Sequence, residues 1–108
     1  MPTYNKLVRD RIPEIIEQAG KKYTSSTLND EQYLKELKNK SFEELEEYTY
    51  AANDTEAIEE LADVLEIIHA LATCHGATFK ELEEIRRQKA EKRGRFQEKI
   101  FLHEVEDD

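Results

Sequence analysis

Apolar residues recur along most of this chain at intervals of three and four, the rhythm of amphipathic α-helices, and no stretch shows a strong two-residue strand alternation. A first helical segment is expected from about Asp10 to Ala19. Pro13 sits in its opening turn, where a missing N–H is tolerated, and Ile12, Ile15, Ile16 and Ala19 form its apolar face. Residues 21–28 (KKYTSSTL) are polar and read as a loop. A second helix should begin after Asn29, which with Gln32 has capping-box spacing, and run to about Ala52. Asn53 with Glu56 marks the start of a third, reaching about His75. Thr78 with Glu81 starts a fourth, ending near Gly94. Gly20, Gly76 and Gly94 each follow a helical segment, where a residue past the helix end can take positive φ. Beyond them, Phe96, Ile100, Phe101 and Leu102 are expected to fold back on the bundle before an acidic stretch. The pattern predicts an all-α bundle of about four helices in a single domain spanning 1–108.

Composition narrows the functional classes. Charged residues make up 38% of the chain, matching the hydrophobic share of 38%, and well above the roughly 25% of an average globular protein. Long solvated helix faces, or burial of part of the surface in an oligomer, fit that balance. With 16 basic and 25 acidic residues the net charge is −9, which argues against a surface for polymeric nucleic acid. A single nucleotide remains compatible, because a bound cation reverses the local field. The single cysteine, Cys74, cannot form an internal disulfide, and neither a signal-peptide pattern nor a membrane-length apolar run is present. A soluble cytoplasmic protein is therefore expected.

The acids become informative when placed on the helices, each residue turning the chain by roughly 100°. On the second helix Leu34, Leu37, Leu45, Tyr48 and Ala52 define one face. Glu44 falls within it and Glu47 at its edge, while Glu43 and Glu46 lie on the other side. On the third, Ala57, Ile58, Leu61, Val64, Leu65, Ile67, Ile68 and Leu71 define the apolar sector, with Glu60 inside it and Asp63 at its border; Glu59 and Glu66 point away. Each helix thus offers two carboxylates three residues apart on one face. A short turn should pack the two helices antiparallel and bring the four acids towards one spot. Like charges crowded in a partly dry site repel, so something positive must compensate. Lys or Arg from other helices is one answer. A hard divalent cation, magnesium above all, is the other. Arg86, Lys89 and Arg93 share the sector of Phe79, Leu82, Ile85 and Ala90 on the fourth helix, where they suit either the acids themselves or the phosphates of a ligand.

Other signals point nowhere specific. His69 falls on the polar side of its helix, and His69, Cys74 and His75 lack a second ligand pair at zinc spacing. Glu66-Ile67-Ile68-His69 matches one Glu-x-x-His element of a di-iron bundle, but such bundles need two. No Walker-type glycine loop is present.

Glu44-x-x-Glu47, twelve intervening residues and then Glu60-x-x-Asp63 resembles the metal-binding signature of the MazG-type all-α nucleotide pyrophosphohydrolases, relatives of phosphoribosyl-ATP pyrophosphohydrolase. The surrounding residues 43–47 (EELEE) and 59–65 (EELADVL) read like that family's two helices. Residues 4–16 (YNKLVRDRIPEII) and 92–96 (KRGRF) look like the opening and closing segments of a small branch of the group, so the resemblance covers nearly the whole chain. Two positions depart from the branch: Arg95 stands in place of a glycine and Arg11 in place of a common lysine.

The resemblance implies hydrolysis of a nucleoside triphosphate between its α- and β-phosphates, giving the monophosphate and pyrophosphate. Magnesium, with manganese as a substitute, would be held by Glu44, Glu47, Glu60 and Asp63. It would polarise phosphate oxygens and help generate hydroxide, and one carboxylate, Glu47 by its position at the sector edge, would take the proton. Lys6, Arg9, Lys89 and Arg93 would hold phosphates, and Tyr4 and Asn5 would contact the ligand, although Asn5 suits a turn equally well. The resemblance also implies a homodimer or dimer of dimers that completes the bundle, and a role in clearing surplus nucleotides. Phosphoribosyl-ATP hydrolysis uses the same metal chemistry and stays open. So does a non-catalytic helical regulator that binds nucleotide or metal.

Overall fold

A computed structural model describes residues 2–107 and contains four α-helices and no strand among them: α1 (Ile12–Gln18), α2 (Asp30–Thr49), α3 (Asp54–Cys74) and α4 (Phe79–Arg93). Three of the helix starts are built by the capping residues expected of them. The Gln32 N–H donates to Asn29 Oδ1 at 2.8 Å while Asn29 N–H reaches Gln32 Oε1, closing a reciprocal box. Thr78 and Glu81 form the same box at α4. At α3 the side chain of Asn53 caps the Glu56 N–H at 2.9 Å, but Glu56 reaches one residue further back and accepts from Ala52 N–H. That second bond pins the turn between α2 and α3. α2 stops at Thr49, three residues short of the expected end, and α1 begins at Ile12 rather than Asp10. Gly94, with φ of 82°, ends α4 in a backbone conformation that a side chain would strain.

α2 and α3 pack against each other as an antiparallel hairpin, and this pairing supplies nearly all the tertiary structure. α4 meets α3 much more sparingly, no Cα of α4 comes within 8 Å of α2, and α1 approaches none of the other helices that closely. Phe79, at the start of α4, stacks on His69 with ring centroids 3.9 Å apart. His69 is therefore half-buried under the incoming helix rather than on a polar face. The one-helix projection missed this because the covering ring comes from a different element.

The apolar faces that define the helices are largely uncovered. Among the described residues only Leu37 and Ile67 are buried hydrophobics, whereas Phe42, Leu45, Ile58, Leu61, Leu65 and Ile68 remain open to solvent. The segment after α4 does not fold back as expected: Phe96, Ile100, Phe101 and Leu102 are all at least 72% exposed. The protein is 62 Å long with a radius of gyration of 18.6 Å, against about 13 Å for a compact chain of this length. Its 10285 Å² of accessible surface exceeds by about 4,000 Å² what a compact monomer of its mass exposes.

Two substitutions separate core from cap. Leu37→Ala, which empties the hairpin's centre, should lower unfolding free energy by about 2–4 kcal/mol. Thr78→Ala, which removes a cap and leaves packing intact, should cost about 1 kcal/mol. Urea denaturation followed by circular dichroism measures both, and equal losses would contradict a core centred on Leu37.

Candidate metal centre

Glu44 and Glu47 come from successive turns of α2, and Glu60 from the facing side of α3. One carboxylate oxygen from each lies within 4.8 Å of the other two. Glu44 is the one buried charged residue among those described, at 9% exposure, while Glu60 is half-buried and Glu47 is exposed. Glu44 Oε2 and Glu60 Oε2 are both shut off from solvent, and neither has a hydrogen-bond partner. The nearest cation to Glu44 is Lys40, one turn earlier on the same helix, with Nζ 3.8 Å from Oε1. Lys40 was not singled out from the sequence, although its four-residue spacing from Glu44 was the available signal.

Crowding raises the proton affinity of the cluster. Burial is the largest cause pushing the Glu44 carboxyl up to about 7, followed by a hydrogen bond with Glu47 and the negative charges of Glu47 and Asp63; Lys40 opposes them. Two ionised carboxylates cannot hydrogen-bond to one another, so a proton on Glu44 creates that bond. The Glu60 carboxyl is also raised, by burial first and then by Glu47 and Asp63. Three acids with two sealed oxygens and one distant lysine have two routes to neutrality: they take up a proton, or they take up a cation. The donor set is all oxygen, which suits a hard divalent ion such as magnesium. Around such an ion the ligand oxygens sit about 3–4 Å apart, somewhat closer than the 4.8 Å within which one oxygen of each acid now lies.

Asp63 stands beside this triad but outside it. Its Oδ1 accepts from Arg9 at 2.5 Å, an ion pair that joins positions 54 residues apart. The residues 4–16 segment is thereby held alongside the carboxylates, and Arg9 rests on an acid rather than standing free for phosphate. Lys6 lies over the ring of Tyr4 at 5.7 Å and pairs with no acid among the described residues. Asn5 takes a left-handed φ of 45°, a conformation that Asn tolerates better than most residues. Lys89 and Arg93 are on α4, which diverges from the hairpin, and neither makes an ion pair with the four carboxylates. Arg86 is occupied by Glu83 on its own helix. Within one chain, then, Glu44, Glu47 and Glu60 come together, Asp63 and Arg9 join their edge, and Lys89 and Arg93 stay apart.

No protein-family model matches the chain, and neither a curated protein nor a solved structure matches it.

The raised Glu44 carboxyl carries a stability signature. Its ordinary value is 4.5, so in the metal-free protein the folded state binds the proton more tightly than the unfolded state does. That contribution is complete below about 4.5 and is lost as pH rises through about 7. The melting temperature without divalent ions should therefore fall across this window by about 5–10 °C. Glu44→Gln should flatten most of the slope. Calorimetry in chelator at stepped pH measures it, and an unchanged slope in the variant would place the titration elsewhere.

Proposed function

We propose that this protein is a magnesium-dependent nucleoside triphosphate pyrophosphohydrolase working as a homo-oligomer. The observation that carries the reading is the pair of sealed, unpartnered oxygens on Glu44 and Glu60, within a triad drawn from two helices. Burying carboxylate oxygens without partners is costly, and a cation relieves that cost. The basic opening segment, tethered at Arg9 to Asp63, supports phosphate as the ligand presented beside the ion. The resemblance of both acidic motifs and both flanking segments to MazG-type enzymes supports the same chemistry.

In this reading Glu44, Glu47 and Glu60 would hold the ion, and Asp63 would be free to join them once Arg9 moved from its carboxylate to a phosphate oxygen. The ion, when bound, neutralises the clustered acids and polarises the phosphate it touches. Glu47 is the most exposed of the triad and takes the proton from the attacking water. Arg9 and Lys6 orient the triphosphate from the opening segment. Lys89 and Arg93 reach a phosphate only by a change in the course of α4 or from another subunit. The roughly 4,000 Å² of excess surface supports the second route, since obligate interfaces hide areas of that order.

The test is pyrophosphate release from a panel of nucleoside triphosphates and phosphoribosyl-ATP, with and without magnesium. Release that needs magnesium and drops at least about 100-fold in Glu44→Gln and Asp63→Asn is the expected result. Release from phosphoribosyl-ATP alone would identify histidine-type chemistry instead. Magnesium binding with no turnover on any substrate would identify a binding protein on a hydrolase-like scaffold. Arg9→Gln, which frees Asp63, should tighten magnesium binding in the absence of nucleotide several-fold by calorimetry while weakening turnover. Weakened magnesium binding would overturn the transfer of Arg9.

A further inference from the structure

We infer that residues 95–105 act as a strap that leaves its own chain and clasps the α2–α3 hairpin of a second copy. The inference rests on the homo-oligomeric part of the proposed function and not on its chemistry.

The strap is an apolar segment with nothing to pack on. Phe96 is 99% exposed, and Ile100, Phe101 and Leu102 follow it, all open to solvent and none packed against a helix. A turn closed by Lys99 N–H to the Phe96 carbonyl oxygen, with Lys99 in a left-handed conformation, groups these side chains on a short stretch. Four large apolar residues held in water in one segment are costly in a monomer at roughly 25 cal/mol per Å².

The same chain carries the missing counterpart. Ile58, Leu61 and Leu65 project from one face of α3, all exposed. Towards the end of α2 lies an open groove of about 340 Å³ lined by Glu43, Glu46, Glu47 and Tyr50. No lysine or arginine pairs with any of its three acids among the described residues. The opposite charge lies where the strap begins: Arg95 shares a groove of about 330 Å³ with Arg86, Arg87, Ala90 and Glu91, and Arg86 and Arg87 are paired with Glu83 and Glu84 on their own helix, which leaves Arg95 as the charge the strap brings. An apolar segment led by Arg95 and a hairpin that carries both an exposed apolar face and unpaired glutamates are complementary, and α4, which makes few contacts with α3 and none with α2, leads the segment away from its own hairpin. A second copy meets both needs at once, and two copies related by a twofold axis exchange straps reciprocally. The excess surface is of the size such an exchange hides. Arg95, which stands where the resembling branch has a glycine, then places a positive charge against the partner hairpin's acid groove.

Two measurements test the strap. Phe96→Ser with Phe101→Ser alters exposed side chains outside the helices, Phe101 meeting the ring of His103 within the strap itself, so helicity by circular dichroism should be kept. The dimer dissociation constant from light scattering and sedimentation should rise at least about tenfold. In the second, a nitroxide is attached at His103→Cys in a Cys74→Ser background, and this copy is mixed with an unlabelled, nitrogen-15 copy. Broadening of amides 58–65 in the nitrogen-15 copy is the expected result. A wild-type monomer at tens of micromolar would overturn the oligomeric reading and the strap with it. A dimer with no broadening between copies, or one unweakened by the double serine variant, would overturn the strap alone.

Discussion

The carboxylate crowding where α2 crosses α3 is the constraint that the rest of the molecule answers to. Glu44 is buried in the face that also holds Leu37, so packing of the hairpin and burial of charge cannot be separated. An apolar side chain at position 44 would give a better core. A glutamate there, with Glu60 opposite it and one oxygen of each sealed from solvent, sets stability against a capacity to bind protons or cations. The neighbouring choices follow from this tension. Lys40 sits near enough to moderate the charge but too far for a close hydrogen bond, and Arg9 is drawn from a distant segment onto Asp63. Glu47 stays in solvent, where its charge costs least.

The hairpin also explains why the rest of the chain is loosely held. Its two long helices bury their central residues against each other and leave their outer apolar flanks unused. α4 is joined at a stacked His69–Phe79 pair and then departs. Among the described residues this arrangement leaves the outer apolar flanks of the hairpin uncovered, and the proposed oligomer would supply their cover. The proposed oligomer and the proposed chemistry are linked in this way, since a partner that covers the apolar flanks also approaches the acids bordering them.

Local chemistry was the legible part of this sequence. Asn29 with Gln32, and Thr78 with Glu81, marked helix starts to the residue, because a capping box is decided within four positions. The projection that put Glu44 and Glu60 inward and Glu47 at the rim needed only the helical repeat and neighbouring apolar residues. What depended on contacts between elements was not legible. Asp63 was placed with the other acids, yet its nearest partner is an arginine 54 residues away. His69 was assigned to a polar face because Phe79 belongs to the next helix. The segment after α4 was expected to return to its own bundle, since apolarity shows that a residue needs cover without showing which chain provides it.

The short link between α2 and α3 bears on how the chain folds. Nearly all tertiary packing joins helices that are neighbours in sequence, and the turn between them is tied by Glu56 to Ala52. Closing such a loop costs little entropy, so the hairpin can form early and by itself. The opening segment gains its place through one exposed ion pair spanning most of the hairpin's half of the sequence, a bond that salt screens readily. The hairpin that carries the carboxylates is thus expected to be the most cooperative unit of the chain, and the opening segment, in which no helix begins before Ile12, to exchange its amide protons first.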